Sequence, residues 1–166
     1  MDYASRSVGF SVRRLGAEDE SVLALLAEQA PEFDLAGRSG PDRPLAASDA
    51  AAYLADANVL HWVAAADGEI VGELLCHLLR LPSGAGRELL LYSIGVRNDH
   101  RRRGAGRALV DAMLRWAEAE RVPEVWVLAD NPGAEAFYAA CGFARGAESE
   151  QGVLMLLSTA AATADA

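Results

Sequence analysis

The sequence predicts a single α+β domain built on a mixed, mostly antiparallel sheet, and three observations support this. The chain has 166 residues, of which 52% are hydrophobic, which is enough to bury the core of one domain. Two apolar runs meet at Asp67-Gly68, a dipeptide typical of tight hairpins because both residues tolerate positive φ. Farther along, an amphipathic helix separates two more apolar runs, which is the pattern of a parallel crossover.

Apolar periodicity and breaker residues predict the elements of the first half. In order, they are a frayed start (Met1–Ser7), a strand (Gly9–Leu15), a helix from Glu18 that Pro31 ends, a loop (Pro31–Pro44), and a short helix from an N-cap at Ser48-Asp49 to Ala57.

The second half continues with strands and two further helices. Its predicted elements are the hairpin strands Val59–Ala66 and Glu69–Leu79, a turn at Pro82–Gly86, a strand ending at Val96, a helix from Gly104, a strand over Pro123–Ala129, a helix capped by Asn131 and stopped by Gly142, a last strand (Gln151–Leu157), and a disordered tail (Ser158–Ala166). One domain over residues 1–157 is therefore expected.

The start of the long helix has an unusual charge. Asp or Glu is favoured there, because the N-terminus is the positive end of the helix dipole, yet the sequence has Arg101-Arg102-Arg103. Gly104 and Gly106 have no Cβ, so a bulky anion can approach the unpaired amides. A diphosphate fits this description. A dinucleotide fingerprint is excluded because Leu109 occupies the place of its third glycine, and a Walker loop because the chain has no lysine.

Composition excludes several other classes. A net charge of −9 disfavours nucleic acid as a partner, although an acidic surface also attracts cationic substrates or simply maintains solubility. Cys76 and Cys141 match no metal or redox spacing, so we expect buried reduced thiols and no metal site. No run is apolar enough to span a bilayer, and Met1–Ser11 lacks the core of a secretion signal, so a cytoplasmic protein is expected.

Two motifs resemble those of the GNAT superfamily of N-acyltransferases. Arg101-x-x-Gly104-x-Gly106 is similar to its acyl-CoA signature, and the stretch from Asn131 through Tyr138 to Gly142-Phe143 is similar to its second signature. The resemblance covers about Val8–Leu157. It implies a V-shaped sheet with helices on both faces, whose strands ending at Val96 and Ala129 splay apart.

The resemblance also implies acetyl-CoA as co-substrate. Its pyrophosphate would lie on the loop Arg101–Gly104, which we call the arginine loop, and its pantetheine arm would lie in the split between the strands that end at Val96 and Ala129. The cofactor-binding residues it implies are Ile94, Val96, Arg101, Arg102, Arg103, Gly104, Ala105, Gly106, Asn131 and Tyr138. Helix capping is an alternative or additional role for Asn131.

Family chemistry is direct attack of an amine on the thioester in a ternary complex. Tyr138 is then the candidate acid for the leaving thiolate, the alternative being a core aromatic side chain. A backbone amide at Ile94 or Gly95 would stabilise the oxyanion. Glu88 is the family-like base, with Glu73 and His77 as alternatives.

A closer likeness concerns the acceptor. Arg87-Glu88, Tyr92, Val96 and His100-Arg101-Arg102 resemble the aminoglycoside 3-N-acetyltransferase branch, but Ser93 replaces its aspartate and cannot offer a carboxylate to an aminosugar. A small cationic amine is the expected acceptor. A protein N-terminal or lysine acetyltransferase, a non-catalytic acyl-CoA sensor and a homodimer are open alternatives; nucleic acid and membrane are not expected as partners.

Overall fold

The computed structural model describes residues 5–7, 9–33, 42–82, 86–129 and 131–144. Within these residues, six strands form one sheet whose spatial order follows the chain order. Neighbouring strands pair antiparallel except for the last pair, which is parallel, so the predicted mixed, mostly antiparallel sheet is confirmed. The strands are β1 (Ser5–Ser7), β2 (Phe10–Arg14), β3 (Val59–Ala66), β4 (Glu69–Arg80), β5 (Arg87–Val96) and β6 (Val125–Val127).

Helices cover both faces of this sheet. The amphipathic helix α4 packs across β2 to β5, and its Leu109, Val110 and Met113 are fully buried in the main core. On the opposite face, Leu26 and Phe33 of the first two helices pack on Val63 of β3. The helices are α1 (Glu20–Glu28), α2 (Ala30–Phe33), α3 (Ala47–Ala55), α4 (Ala105–Ala119) and α5 (Pro132–Ala140).

Local turn chemistry explains the elements that the sequence predicted well. Asp67 and Gly68 have φ of 50° and 86°, as a two-residue hairpin of this type requires, and they join β3 to β4. Gly142, with φ of 97°, follows the last residues of α5, as expected of a glycine that stops a helix.

The predictions for the first segments were partly wrong. Ser5–Ser7 is not frayed, because it pairs with β2 as an edge strand. Pro31 does not end a helix: α1 already ends at Glu28, and Pro31 lies in the first turn of α2, where a missing N–H is tolerated. Of the predicted loop Pro31–Pro44, residues 31–33 are therefore helical, and residues 34–41 lie outside the described ranges.

The start of α3 was also predicted wrongly. Its N-cap residue is Ala46, and no side chain caps it; Ser48 and Asp49 belong to the first turn, where the acidic side chain favours the helix dipole. The helix ends at Ala55. The predicted last strand and tail, residues 151–166, lie outside the described residues.

Candidate active site

A split opens between the two parallel strands. β5 pairs with β6 only through Leu89, Leu90 and Leu91, although β5 continues to Val96. Helix α4 follows the end of β5 and α5 follows the end of β6, so both helix N-termini lie at the carboxyl ends of the strands that separate. The V-shaped sheet implied by the resemblance is present.

A bulge turns β5 at the split. Leu91 is opposite Cys76 while Ser93 is opposite Leu75, so Tyr92 is the extra residue, and a bulge of this kind bends its strand. At the end of the strand, the Arg97 amide donates to the Val71 carbonyl of β4 at 2.9 Å. Because successive amides point to opposite edges of a strand, those of Ile94 and Val96 point away from β4 and toward the split.

Two residues with a left-handed backbone conformation shape the loop before α4. Arg102 has φ of 57° and Gly104 has φ of 99°. Gly104 is the N-cap of α4, and because it has no side chain, no capping oxygen occupies the first helical amides. These amides are available to an external acceptor. Gly104 is therefore needed for its conformation.

Gly106 is needed for a different reason. A Cβ at this position would lie 3.3 Å from Cζ of Phe137 and 3.6 Å from Cγ2 of Val96. The absent side chain thus lets α5 approach the first turn of α4, which brings together the two helices that follow the split strands.

Arg101 uses its guanidinium inside the protein. Nε donates to the Val96 carbonyl at 2.9 Å and Nη2 donates to the Phe33 carbonyl at 2.7 Å. This side chain joins the end of β5 to the last residue of α2, in a segment that the sequence predicted as loop.

Arg101→Lys should therefore destabilise the protein. A lysine ammonium cannot reproduce the planar fork that holds two carbonyls, and losing one bond of this kind costs about 1 kcal/mol. We expect the melting temperature to fall by about 2–4 °C and the apparent affinity for coenzyme A to decrease. Arg115→Lys, at an exposed position of α4, is the matched control. Identical melting curves for the two variants would contradict this role.

The other arginines of the loop region divide into two groups. Arg97 binds Asp99 through both carboxylate oxygens at 2.7 and 3.0 Å and binds Glu69 at 3.0 Å. These hydrogen bonds raise the pKa of Arg97, and Arg97 in turn holds the pKa of Asp99 well below its usual range. Arg102 and Arg103 are exposed and, among the described residues, have no hydrogen-bonding partner. They are thus the arginines best able to meet an anion.

Two of the predicted cofactor-binding residues belong to α5: Asn131 is its N-cap, and Tyr138 lies in its last turn. The Asn131 side chain accepts a hydrogen bond from the Ala134 amide at 2.9 Å, so its predicted capping role is confirmed. Tyr138 is 8% exposed, and its ring packs against Phe137 and Phe143.

A hydrogen-bonded group that the sequence did not reveal lies on the α1–α3 side of the sheet. The Tyr53 hydroxyl is 3.1 Å from Nδ1 of His61, and Nε2 of His61 is 3.1 Å from Oε2 of Glu73. Desolvation raises the pKa of Tyr53 to about 12, with a further contribution from the charge of Glu73. We call these three residues the Tyr53–His61–Glu73 chain. No local motif links them, because they lie on α3, β3 and β4.

Glu73 is the candidate base that lies nearest the split. It is opposite Gly95 in the β4–β5 register, and a Cβ on Gly95 would lie 3.6 Å from its Cγ. Glu88 is opposite Leu79, near the start of β5 and before the split. The His77 ring packs edge-on against Tyr92 with centroids 5.4 Å apart.

Three further observations concern the cysteines, metal-ligating side chains and the lengths of the helices. Cys76 and Cys141 are buried free thiols, and desolvation raises the pKa of Cys76. No group of three His, Cys, Asp or Glu side chains within the described ranges could hold a metal ion. Among the helices of those ranges, none has the length and apolar composition needed to cross a membrane.

Comparison with known proteins places these features in a family. Residues 22–143 match the model of the acetyltransferase (GNAT) family. N-acetyltransferase 8 of Rattus norvegicus is 30% identical over 107 residues, which are 63% of this chain and 48% of the relative. N-acetyltransferase family 8 member 3 of the same organism is 32% identical over 98 residues, covering 58% and 43%. The matches thus span less than half the length of these relatives.

Solved structures show the same fold. An aminoglycoside acetyltransferase from an uncultured soil metagenomic sample has a TM-score of 0.78 at 21% identity, with 91% of this chain and 100% of that chain covered. A ribosomal-protein-alanine N-acetyltransferase from Brucella melitensis biovar Abortus 2308 has a TM-score of 0.63 at 21% identity, with 89% and 99% covered. With the family model matching most of its length, this chain belongs to the GNAT acetyltransferase family.

Proposed function

We propose that the protein is an N-acetyltransferase that moves the acetyl group of acetyl-CoA to a primary amine by direct attack in a ternary complex. The observation that supports this most strongly is the split between β5 and β6, with two helix N-termini at its open end and a carboxylate, Glu73, opposite Gly95. Family membership supports the same activity.

The described residues fit acetyl-CoA in two ways. The amides of Ile94 and Val96 are directed into the split: the Val96 amide can pair with an amide group of the pantetheine arm, as a missing strand would, and the Ile94 amide can meet the thioester of the same cofactor. The uncapped first turn of α4, from Ala105 onward, with exposed Arg102 and Arg103, can hold a pyrophosphate. Arg101 acts by holding the loop, and Asn131 and Tyr138 approach the arm from α5.

The protein's own groups can perform the three tasks of acetyl transfer. Glu73 accepts a proton from the attacking amine, the Ile94 amide donates to the carbonyl oxygen as negative charge develops there, and Tyr138 gives its phenolic proton to the sulfur as the C–S bond breaks. We prefer the Ile94 amide to that of Gly95 because backbone amides alternate in direction along a strand, and the Gly95 amide points toward β4. Glu88 is the alternative base.

A small cationic amine is the proposed acceptor class. Phe33 lies against Gly95, the residue opposite Glu73, and Tyr92 of the same strand is 67% exposed. The chain has a net charge of −9. Aromatic faces and a carboxylate attract ammonium groups, and an acidic surface raises their local concentration. Proteins with this fold include an aminoglycoside acetyltransferase and a ribosomal-protein-alanine N-acetyltransferase. Aminoglycosides and ribosomal-protein N-termini are for this reason both among the acceptors to test.

Two measurements on the unmodified protein test the activity. Titration calorimetry should show heat when acetyl-CoA or CoA is added, and thiol release from acetyl-CoA should depend on an added amine from a panel of polyamines, aminosugars and peptides. The absence of any heat would refute the proposal. Binding without thiol release against the whole panel would favour a non-catalytic acyl-CoA sensor.

Tyr138→Phe should reduce turnover without disturbing the fold. The ring packing against Phe137 and Phe143 is retained, while the phenolic proton is lost. We expect kcat to fall by about 10²-fold, the lower end of the range for acid catalysis, because a thiolate is already a good leaving group. The melting temperature and the dissociation constant for CoA, measured alongside, show how much of the loss comes from stability or from binding. An unchanged kcat would remove the acid role.

A further inference from the structure

We propose that His61 and Tyr53 are positioning residues that hold the Glu73 carboxylate in the orientation it needs as the base, an inference that rests on the proposed acetyl transfer. In the proposed arrangement the Tyr53 hydroxyl donates to Nδ1 of His61, 3.1 Å away, and Nε2–H of His61 donates to Oε2 of Glu73, also 3.1 Å away.

The burial of His61 indicates that both of its contacts matter. At 8% exposure, His61 is as buried as the apolar side chains of the core. Burying an imidazole is unfavourable unless both ring nitrogens are satisfied. Tyr53 and Glu73 satisfy one nitrogen each, from different elements of the fold.

The hydrogen-bonding capacity of each group fixes the direction of donation. An ionised carboxylate only accepts, so the nitrogen that faces Glu73 must hold a proton. In a neutral imidazole the other nitrogen then accepts, and the tyrosine hydroxyl must be the donor. The raised pKa of Tyr53 keeps this phenol protonated.

This direction of donation has a consequence for Glu73. Its side chain is 28% exposed, and one oxygen is engaged by His61. The second oxygen is left to accept a proton from an amine beside Gly95, where Phe33 lies 3.3 Å from the position of a Cβ. His61 thereby selects one carboxylate rotamer, and the Tyr53 hydroxyl, 3.1 Å from Nδ1, satisfies the ring nitrogen that this tautomer leaves as an acceptor.

Nitrogen NMR of the ligand-free protein tests the tautomer, independently of any activity. The spectra should show the His61 proton on Nε2 and no proton on Nδ1. Tyr53→Phe removes the donor to Nδ1 and should change the chemical shift of that nitrogen while the proton stays on Nε2. His61→Gln assigns the signals, because the chain has three histidines. An Nδ1–H tautomer or an imidazolium in the unmodified protein would overturn the proposal.

Kinetics then separate positioning from packing. The glutamine in His61→Gln retains an N–H donor near Glu73, whereas His61→Leu fills the space without one. We expect kcat to be about tenfold lower in the leucine variant than in the glutamine variant, the equivalent of one hydrogen bond, with the KM for acetyl-CoA equal in both. Equal kcat values would show that His61 acts only through packing. Should no amine support turnover, the NMR result still decides the tautomer, so the two proposals fail separately.

Discussion

Glu73→Gln is expected to lower kcat by about 10²–10⁴-fold, the usual contribution of a general base. The substitution keeps the size of the side chain and leaves an oxygen that can accept from His61, so the fold and the dissociation constant for CoA should be retained. Steady-state kinetics with the best amine of the panel provide the measurement. The loss should shrink as the pH rises toward the pKa of the acceptor, because an already neutral amine needs no base.

Glu88→Gln is the matched control for this experiment. It makes the same chemical change on β5, the strand that pairs with the β4 strand of Glu73. Glu88, however, lies opposite Leu79, before the split. We expect a change in kcat smaller than about threefold, within the ordinary effect of a surface substitution. A large loss in Glu88→Gln together with a small one in Glu73→Gln would assign the base to Glu88, as the family resemblance implies.

Gly104→Val should weaken coenzyme binding by at least about tenfold. Gly104 has φ of 99°, a conformation that a β-branched residue adopts only at a cost of about 1–2 kcal/mol. We expect the loop to relax by moving the first amides of α4, and each lost bond to a charged phosphate costs about 1.5–3 kcal/mol. Titration calorimetry with CoA gives the affinity directly.

A second glycine provides the control for Gly104→Val. Gly86 has φ of 75° with open space around it and precedes β5, at the opposite end of that strand from the loop. Gly86→Val should therefore lower stability while leaving the affinity for CoA unchanged. Equal losses of affinity in both variants would mean that Gly104 acts through general stability rather than through the anion site.

Structural features that depend only on a few consecutive residues could be predicted from the sequence. The hairpin at Asp67-Gly68, the cap at Asn131 and the arginine loop before α4 each depend on the chemistry of a few consecutive positions. Their backbone conformations follow from that chemistry. The parallel crossover that creates the split follows from the same local patterns combined with chain order.

Features that depend on partners distant in the chain could not be predicted. Arg101 was interpreted as an anion ligand because its carbonyl partners at Val96 and Phe33 belong to other elements. Gly106 was interpreted as an approach for an anion, whereas its absent Cβ faces Phe137. The choice between Glu73 and Glu88 depends on the β4–β5 register and on the bulge at Tyr92, which a single strand does not encode.

The link that Arg101 makes between β5 and α2 has a thermodynamic consequence. One guanidinium holds the strand that borders the coenzyme split and also the helix that lies over Gly95, so a shift of either alters the other. The two substrates should then bind cooperatively rather than independently. By reciprocity, an acceptor that changes the dissociation constant of CoA by some factor has its own dissociation constant changed by the same factor.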